Sequence, residues 1–503
     1  MMRDMNRTRR CVVLLACALV CGVSLGADES AGDGAPKSDE SWQVIEMGGA
    51  RVGYGHVATY HRTGDDGADV IVTDMLNSMR IKRFGQALEM TVRQHTEETV
   101  DGELLSFRYQ MENPPISSTE TVGTIEGDQL KLEIHANGAV QTTMVDWDPD
   151  VKSPAWQDRN LEEHPLKPGE SRSFEMYDPQ LNQVGTVTLT EKGPARTKLL
   201  DGTVIDTTCV SMSHSLIPLV SIESYVDEAG ETVKTETKLL SVVTYTVDRE
   251  TALKEIQDQP VDLAIDTLVK VEPIKDAHDR KRIVYRITTA GGDAAEHFPS
   301  GATQQVERVS DQVAAVTVRA LPEKGEAGAE DSPGPQYLKA TRFLDCDNAL
   351  VAKHADAAAD ADLAAPAAAR AMEKYVQTEM RDKNFATGLA TASEVAENLE
   401  GDCTEHAVLL AAMLRAHKIP SRVAVGLVYS ERHSAFAGHM WTEAYLDGVW
   451  TPLDATLGRG GVGAAHIKVA DSALDENAPT PIAAFLPMIH LLGQISIEVV
   501  SAE

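Results

Sequence analysis

Three residues in the last third of this 503-residue chain have the types and order that thiol chemistry needs: Cys403, His439 and Asp454. A sulfur nucleophile requires a thiol, a base to take its proton and a carboxylate to orient that base. Cys403 stands in Gly401-Asp402-Cys403-Thr404-Glu405-His406. His439 stands in Gly438-His439-Met440-Trp441-Thr442-Glu443-Ala444-Tyr445, and Asp454 closes Val449-Trp450-Thr451-Pro452-Leu453-Asp454. Taken singly, each has a plainer role as a buried thiol, a strand histidine or a turn residue. A zinc site built on Cys403, His406 and His439 would have a single cysteine, no second Cys-rich pair and no His-Glu-x-x-His. The sequence therefore implies no metal and no other cofactor.

The elements around these residues can be read from local pattern. Asp402 followed three residues on by Glu405 has the character of a capping box that opens a helix. Ala407, Leu410, Met413 and Leu414 give that helix an apolar face, and Ile419-Pro420 ends it after His417-Lys418. Cys403 then lies in the first turn. There the positive end of the helix dipole favours thiolate over thiol, and first-turn N–H groups can donate to an oxyanion. Asn398 is a candidate second donor. Arg422 to Tyr429 reads as a strand, Ser430 to Gly438 as a polar loop, and His439 as the start of a further strand. After the hairpin turn Asp447-Gly448, Asp454 ends the next one. Adjacent antiparallel strands would set His439 beside Asp454. Trp441 and Trp450 read as core residues, Trp441 alternatively as a border of a substrate groove. Gly458 to Gly463 follows no phosphate-binding pattern and reads as a flexible loop.

Four blocks occur in order with short gaps. They are Gly401-Asp402-Cys403-Thr404-Glu405-His406-Ala407, Ile419-Pro420-Ser421-Arg422-Val423, His439-Met440-Trp441-Thr442-Glu443, and Trp450-Thr451-Pro452-Leu453-Asp454-Ala455-Thr456. Together they resemble the transglutaminase-like superfamily, over a region starting near Tyr337. The resemblance implies a papain-like α+β core, with Cys403 as nucleophile, His439 as general base and acid, and Asp454 as the carboxylate that orients His439. Such a site would cleave or transfer amide bonds of a peptide or protein substrate through a thioester on Cys403, with hydrolysis expected. The competing reading is a catalytically inactive transglutaminase-like scaffold carrying a β-rich binding module.

The fold class expected is multidomain: a β-rich antiparallel N-terminal half, then the α+β domain. Residues 41–260 read as β-rich, with alternating stretches such as Leu130-Lys131-Leu132-Glu133-Ile134 and Gly185-Thr186-Val187-Thr188-Leu189 separated by Asp101-Gly102, Asn137-Gly138 and Asp201-Gly202. A weak repeat hints at two copies of one unit joined across Asp146 to Pro168. Residues 270–321 read as a small β domain, 322–335 as a Glu-, Gly- and Pro-rich linker, and 336–503 as the transglutaminase-like domain. Within the last, Asn348 to Glu400 is alanine-rich and helical, with Ala367 to Met380 its clearest helix.

Residues 1–27 carry Arg3, Arg7, Arg9 and Arg10 ahead of the apolar run Cys11 to Leu25, with small residues at Ser24-Leu25-Gly26-Ala27. This is the pattern of a removed signal peptide, and the run is short for a bilayer span. Residues 28–40, poor in large apolar side chains, read as a disordered linker. The expected location is secreted or periplasmic, with no stable membrane span after signal removal. The formal net charge of −31 argues against nucleic acid and anionic membranes as partners. Oligomeric state is not readable. Of six cysteines, Cys11, Cys17 and Cys21 leave with the signal. The remaining three are an odd number, so at least one thiol lacks an intramolecular partner. Either Cys209 pairs with Cys346, or all three are reduced.

Overall fold

The computed structural model describes residues 39–503 apart from 65–66, 84, 114–116, 137–138, 218–219, 257–260, 321–331, 381–389, 460–461, 475–486 and 489–490. The expected signal peptide, nearly all of the 28–40 linker and most of the 322–335 linker lie outside these residues. The chain divides into two units, one ending at Asp262 and one spanning Leu263–Glu503.

Period-two alternation builds the first unit. Leu130 and Leu132 are buried on one strand, Val187 and Leu189 on another, Val210 and Met212 on a third, with polar residues between them. The product is a 14-stranded antiparallel sheet. Eight consecutive strands, Asp39–Met47 through Ala139–Asp146, form one meander. Six more, Ser171–Asp178 through Val242–Val247, form a second. The meanders join where Asp39–Met47 pairs with Val242–Val247, Trp42 opposite Val247 and Met47 opposite Val242. The two meanders thus form one continuous sheet. The segment between the meanders holds the helix Trp156–Glu163. Its Arg159 donates to Glu98 Oε1 at 2.8 Å, with both side chains buried. Burial raises the Glu98 carboxyl and Arg159 pulls it back down, as a paired buried charge requires.

The second unit wraps one helix. Cys403–Ala416 is buried along most of its length, with Val408 to Leu414 wholly inaccessible. Helices Ala349–Ala358, Ala365–Glu379 and Ala392–Asn398 pack on it. The second of these agrees with the expected helix at 367–380 apart from its ends; Pro366 sits in its first turn, where a missing N–H costs nothing. A five-stranded sheet covers the buried helix. Its order is Val269–Lys270, Ala435–Leu446, Ser421–Ser430, His466–Ser472, with Val449–Leu453 also paired to Ala435–Leu446. The strand of His439 therefore starts earlier than the sequence suggests. Ala435 and Phe436 are fully buried and continue the ladder, Ser430 opposite Ala435. Phe436 packs edge-on against Tyr285 and Tyr429.

Residues 270–321 supply three strands of a four-stranded sheet whose remaining strand is Ile495–Ala502. Ile283, Tyr285 and Ile287 lie in the same apolar core as Leu409 and Met413. The segment read as a small β domain is thus placed inside this unit, because its sheet is completed by the chain's last strand.

Arg415 is a further brace. Its side chain is wholly buried and donates to the carbonyls of Ser421, Lys339 and Ala473, at 2.9, 2.8 and 2.8 Å. Buried carbonyls left without donors cost about 1–3 kcal/mol each. Arg415→Met should therefore destabilise this unit by about 3 kcal/mol or more, read as a lower urea midpoint in tryptophan fluorescence.

Candidate active site

The site begins with the capping geometry that starts the buried helix. Asp402 is the N-cap. Its Oδ1 accepts from the Thr404 N–H at 2.8 Å, and Glu405 Oε2 accepts from the Asp402 N–H at 2.9 Å. Thr404 Oγ1 lies 2.9 Å from Asp402 Oδ1 and 2.8 Å from Glu405 Oε1. Asp402 and Glu405 are both buried, so the box is internal scaffolding. Gly401 adopts φ +140°, and a Cβ there would fall 2.4 Å from Glu405 Cβ. Only glycine fits the turn that delivers the chain to the cap. Cys403 follows as the first helical residue, partly exposed. Its backbone N–H has no intrahelical acceptor, as at every helix start.

Strand pairing supplies the partners. His439 lies opposite Gly426, and Thr442 Oγ1 donates to the Ala407 carbonyl at 2.9 Å, tying this strand to the helix. The Cys403 side chain lies close enough to His439 to act on the ring electrostatically. On the ring's other side, His439 Nε2 donates to Asp454 Oδ2 at 2.9 Å. That bond leaves Nδ1 as the nitrogen available to sulfur. Asp454 is held in turn: its Oδ1 accepts from the N–H groups of Thr456 and Leu457, at 2.9 and 3.1 Å. Its own N–H donates to Glu373 Oε1 at 2.8 Å. The structure thus brings together Cys403, His439 and Asp454.

Electrostatics follow this arrangement. Burial disfavours a charged ring at His439. Asp454, by charge and hydrogen bond, and then Cys403 outweigh it and hold the imidazolium pushed up from 6.5 to about 10. Burial would raise the Asp454 carboxyl, but His439 and His466 hold it well below the ordinary carboxylate range. The Cys209 and Cys346 thiols are both pushed up, first by burial. Among the described residues, Cys209, Cys346 and Cys403 are all free thiols.

Other residues of the ordered blocks act as structure. Glu443 is buried and accepts from Arg422 and Lys468. The Arg422 guanidinium stacks 4.0 Å above the Trp450 ring. His406 Nδ1 donates to the Asp402 carbonyl at 2.6 Å, within its own helix. Trp441 packs in the core, its ring 6.2 Å from His439 and 5.4 Å from His466. Asn398 does not face the site; its exposed amide donates to the Glu394 carbonyl of its own helix. Of the stretch 458–463, whose residues 460–461 lie outside the described residues, Gly463 is closely packed: a Cβ there would meet the His278 carbonyl at 2.1 Å.

Two residues were missed by sequence reading. Glu373 sits on the helix Ala365–Glu379, and nothing marks it beyond its neighbours. His466 opens the strand His466–Ser472, and its Nε2 donates to Asp454 Oδ2 at 3.0 Å. The alternation His466-Ile467-Lys468-Val469 signalled a strand, though not what the ring meets. The donor atoms of His439, Asp454 and His466 lie within 4.8 Å of one another, a spacing compatible with a metal. Both Nε2 atoms are at hydrogen-bond distance from one oxygen, Asp454 Oδ2. We read the cluster as a closed hydrogen-bond set.

Residues 349–455 match the model of the transglutaminase-like superfamily. The match places a transglutaminase-like core in the C-terminal part of the chain. Cys403, His439 and Asp454 fall within the matched residues, and His466 lies beyond them. Among solved structures, the chain is similar to a candidate cysteine protease from Cytophaga hutchinsonii, at 14% identity over 44% of this chain and 89% of that one, TM-score 0.30. It is also similar to the periplasmic domain of TgpA from Pseudomonas aeruginosa bound to ethylmercury, at 15% identity over 36% and 91%, TM-score 0.24. A third is a beta-barrel-like protein of domain of unknown function DUF1849 from Brucella abortus, at 11% identity over 42% and 95%, TM-score 0.31. At such TM-scores none decides anything about chemistry. No curated protein matches the chain.

The raised His439 links the transglutaminase-like core to pH. A base raised on folding adds stability that is complete below its unfolded value near 6.5 and is lost as pH climbs through about 10. His439→Gln should therefore lower the Tm more at pH 6 than at pH 10.5, as calorimetry across that range would register.

Proposed function

We propose that the protein is a secreted or periplasmic thiol enzyme that cleaves amide bonds of peptides or proteins through a thioester on Cys403. The observation that carries this reading is a single buried imidazole, His439, hydrogen-bonded through Nε2 to the Asp454 carboxylate and close enough to the Cys403 thiol to feel it. A ring held this basic can take the thiol proton, which leaves a thiolate beside an imidazolium. The sulfur attacks the amide carbonyl, and the developing oxyanion lies within reach of the Cys403 backbone N–H. His439 then gives its proton to the departing amine, and the carbon–nitrogen bond breaks. The thioester remains. His439, now neutral, takes a proton from water as the water attacks, and the acid is released with the thiol restored. Hydrolysis is favoured over capture by a second amine because no acceptor needs to be bound.

The proposed location rests on the basic and apolar pattern of residues 1–27 and on the acidity of the remainder. Among the described residues, no helix is long and apolar enough to cross a membrane.

Two measurements test the reading. Iodoacetamide near neutral pH should alkylate Cys403 at least about tenfold faster than Cys209 or Cys346, and His439→Ala should remove that advantage. Equal labelling of the three would favour the inactive-scaffold reading. A screen of peptides, with and without amine donors, should give products that Cys403→Ala does not form. Amine incorporation exceeding hydrolysis would instead make the enzyme an acyltransferase.

A further inference from the structure

We propose that His466 is a positioning residue that acts on His439 through the carboxylate they share, pinning Asp454 Oδ2 and taking up part of its charge. The assignment rests on the reading of Cys403, His439 and Asp454 as a working triad. It adds a fourth side chain, from a strand outside the matched residues 349–455.

The geometry is specific. Asp454 Oδ2 accepts from His439 Nε2 at 2.9 Å and from His466 Nε2 at 3.0 Å. Its Oδ1 accepts from two backbone N–H groups of the following turn. A carboxylate offers about four acceptor sites, and here all four are used. The turn fixes one oxygen. The other must stay in place while His439 gains and loses a proton on Nδ1, and His466 is the partner on that oxygen whose own charge does not change. The two rings reach Asp454 from the two strands that flank Ser421–Ser430, His439 opposite Gly426 and His466 opposite Val428. A Cβ on Gly426 would strike the Ile467 carbonyl at 2.1 Å, so glycine there permits the close approach of the His466 strand.

His466 is suited to hold without titrating. Its Nε2 carries the proton that Asp454 accepts. Its Nδ1 is buried and lacks any partner among the described residues, so a second proton would have no acceptor. The groups facing it are Asp454, His439 and His278, with the Trp441 ring alongside. Burial lowers it first. Asp454 raises it, and His439 and His278 lower it further. His278 is itself held low by burial, with Arg459 and Glu431 as its charged neighbours, and donates from Nε2 to the Tyr429 carbonyl. His439 faces Asp454 and Cys403. Asp454 faces the two rings, with Glu373 held at its backbone. Removing His466 would concentrate the Asp454 charge on His439 alone and strengthen its hold on the imidazolium proton.

The test uses the full chain and iodoacetate, an anionic reagent whose attack on a thiolate is assisted by a neighbouring imidazolium. Carboxymethylation of Cys403 is followed by mass spectrometry from pH 5 to 11.5 in wild type, His439→Ala, His466→Leu and His466→Gln. Wild type should show an alkaline limb that His439→Ala abolishes. In His466→Leu the limb should move up by roughly one pH unit, the scale of one lost hydrogen bond to an ionised group. In His466→Gln, whose amide N–H can replace Nε2, it should return toward wild type. Nitrogen-15 shifts in histidine-labelled protein should hold the His466 ring in its neutral Nε2–H form from pH 5 to 9. A limb present in wild type but unmoved in His466→Leu, a uniform loss of rate that His466→Gln does not restore, or a His466 ring that titrates near 6.5 would each overturn this assignment alone. A wild-type profile without a His439-dependent limb would overturn the triad, and His466 with it.

Discussion

A buried helix start must find acceptors for its first N–H groups inside the protein, and the C-terminal unit is organised around that requirement. Water cannot serve the first turn of Cys403–Ala416, because Asp402, Thr404 and Glu405 are all enclosed. Their side chains therefore close the turn on themselves, and Gly401 bends to let them. The Cys403 backbone is fixed by that closure. The helix behind it has little polar surface, so it is held by wrapping: three helices on some sides, a sheet on another. Thr442 and Ser421 reach from the sheet to helix carbonyls and set the height at which His439 meets the sulfur.

The second condition is met by one carboxylate. Asp454 gathers a turn, two strands and, through its backbone, a helix. Its position is over-determined, and this lets an ionised group persist in a dry interior. Because it stays charged, His439 stays basic. The chemistry of the sulfur thus depends on a residue that lies on the far side of the imidazole.

What was legible in the sequence is what is local. The Asp402–Glu405 box, the apolar face of the helix and the Asp447-Gly448 turn each span a few residues, and each formed as read. Alternation along single strands exposed the β-rich half. Pairings between distant segments were not readable. Nothing in the sequence marks His466, because its role arises from sheet register with Val428. The early start of the His439 strand was hidden for a similar reason. Ala435 and Phe436 lack polar alternation, and their burial depends on Tyr285, far back in the chain. Glu373 joins the site through packing between a helix and a turn that no spacing links.

The seam of the large sheet has a consequence for biosynthesis. Trp42 pairs with Val247, so the first strand of the sheet waits for the last. With a chain growing at about 5–20 residues per second, the wait is roughly tens of seconds. Throughout it, one edge of Asp39–Met47 offers unpaired N–H and carbonyl groups to any passing strand. The residues along that edge include Asp39, Glu40 and Glu46. In a nascent chain their negative charges repel other copies of the same acidic protein. The acidity thus guards the open edge until its own partner emerges.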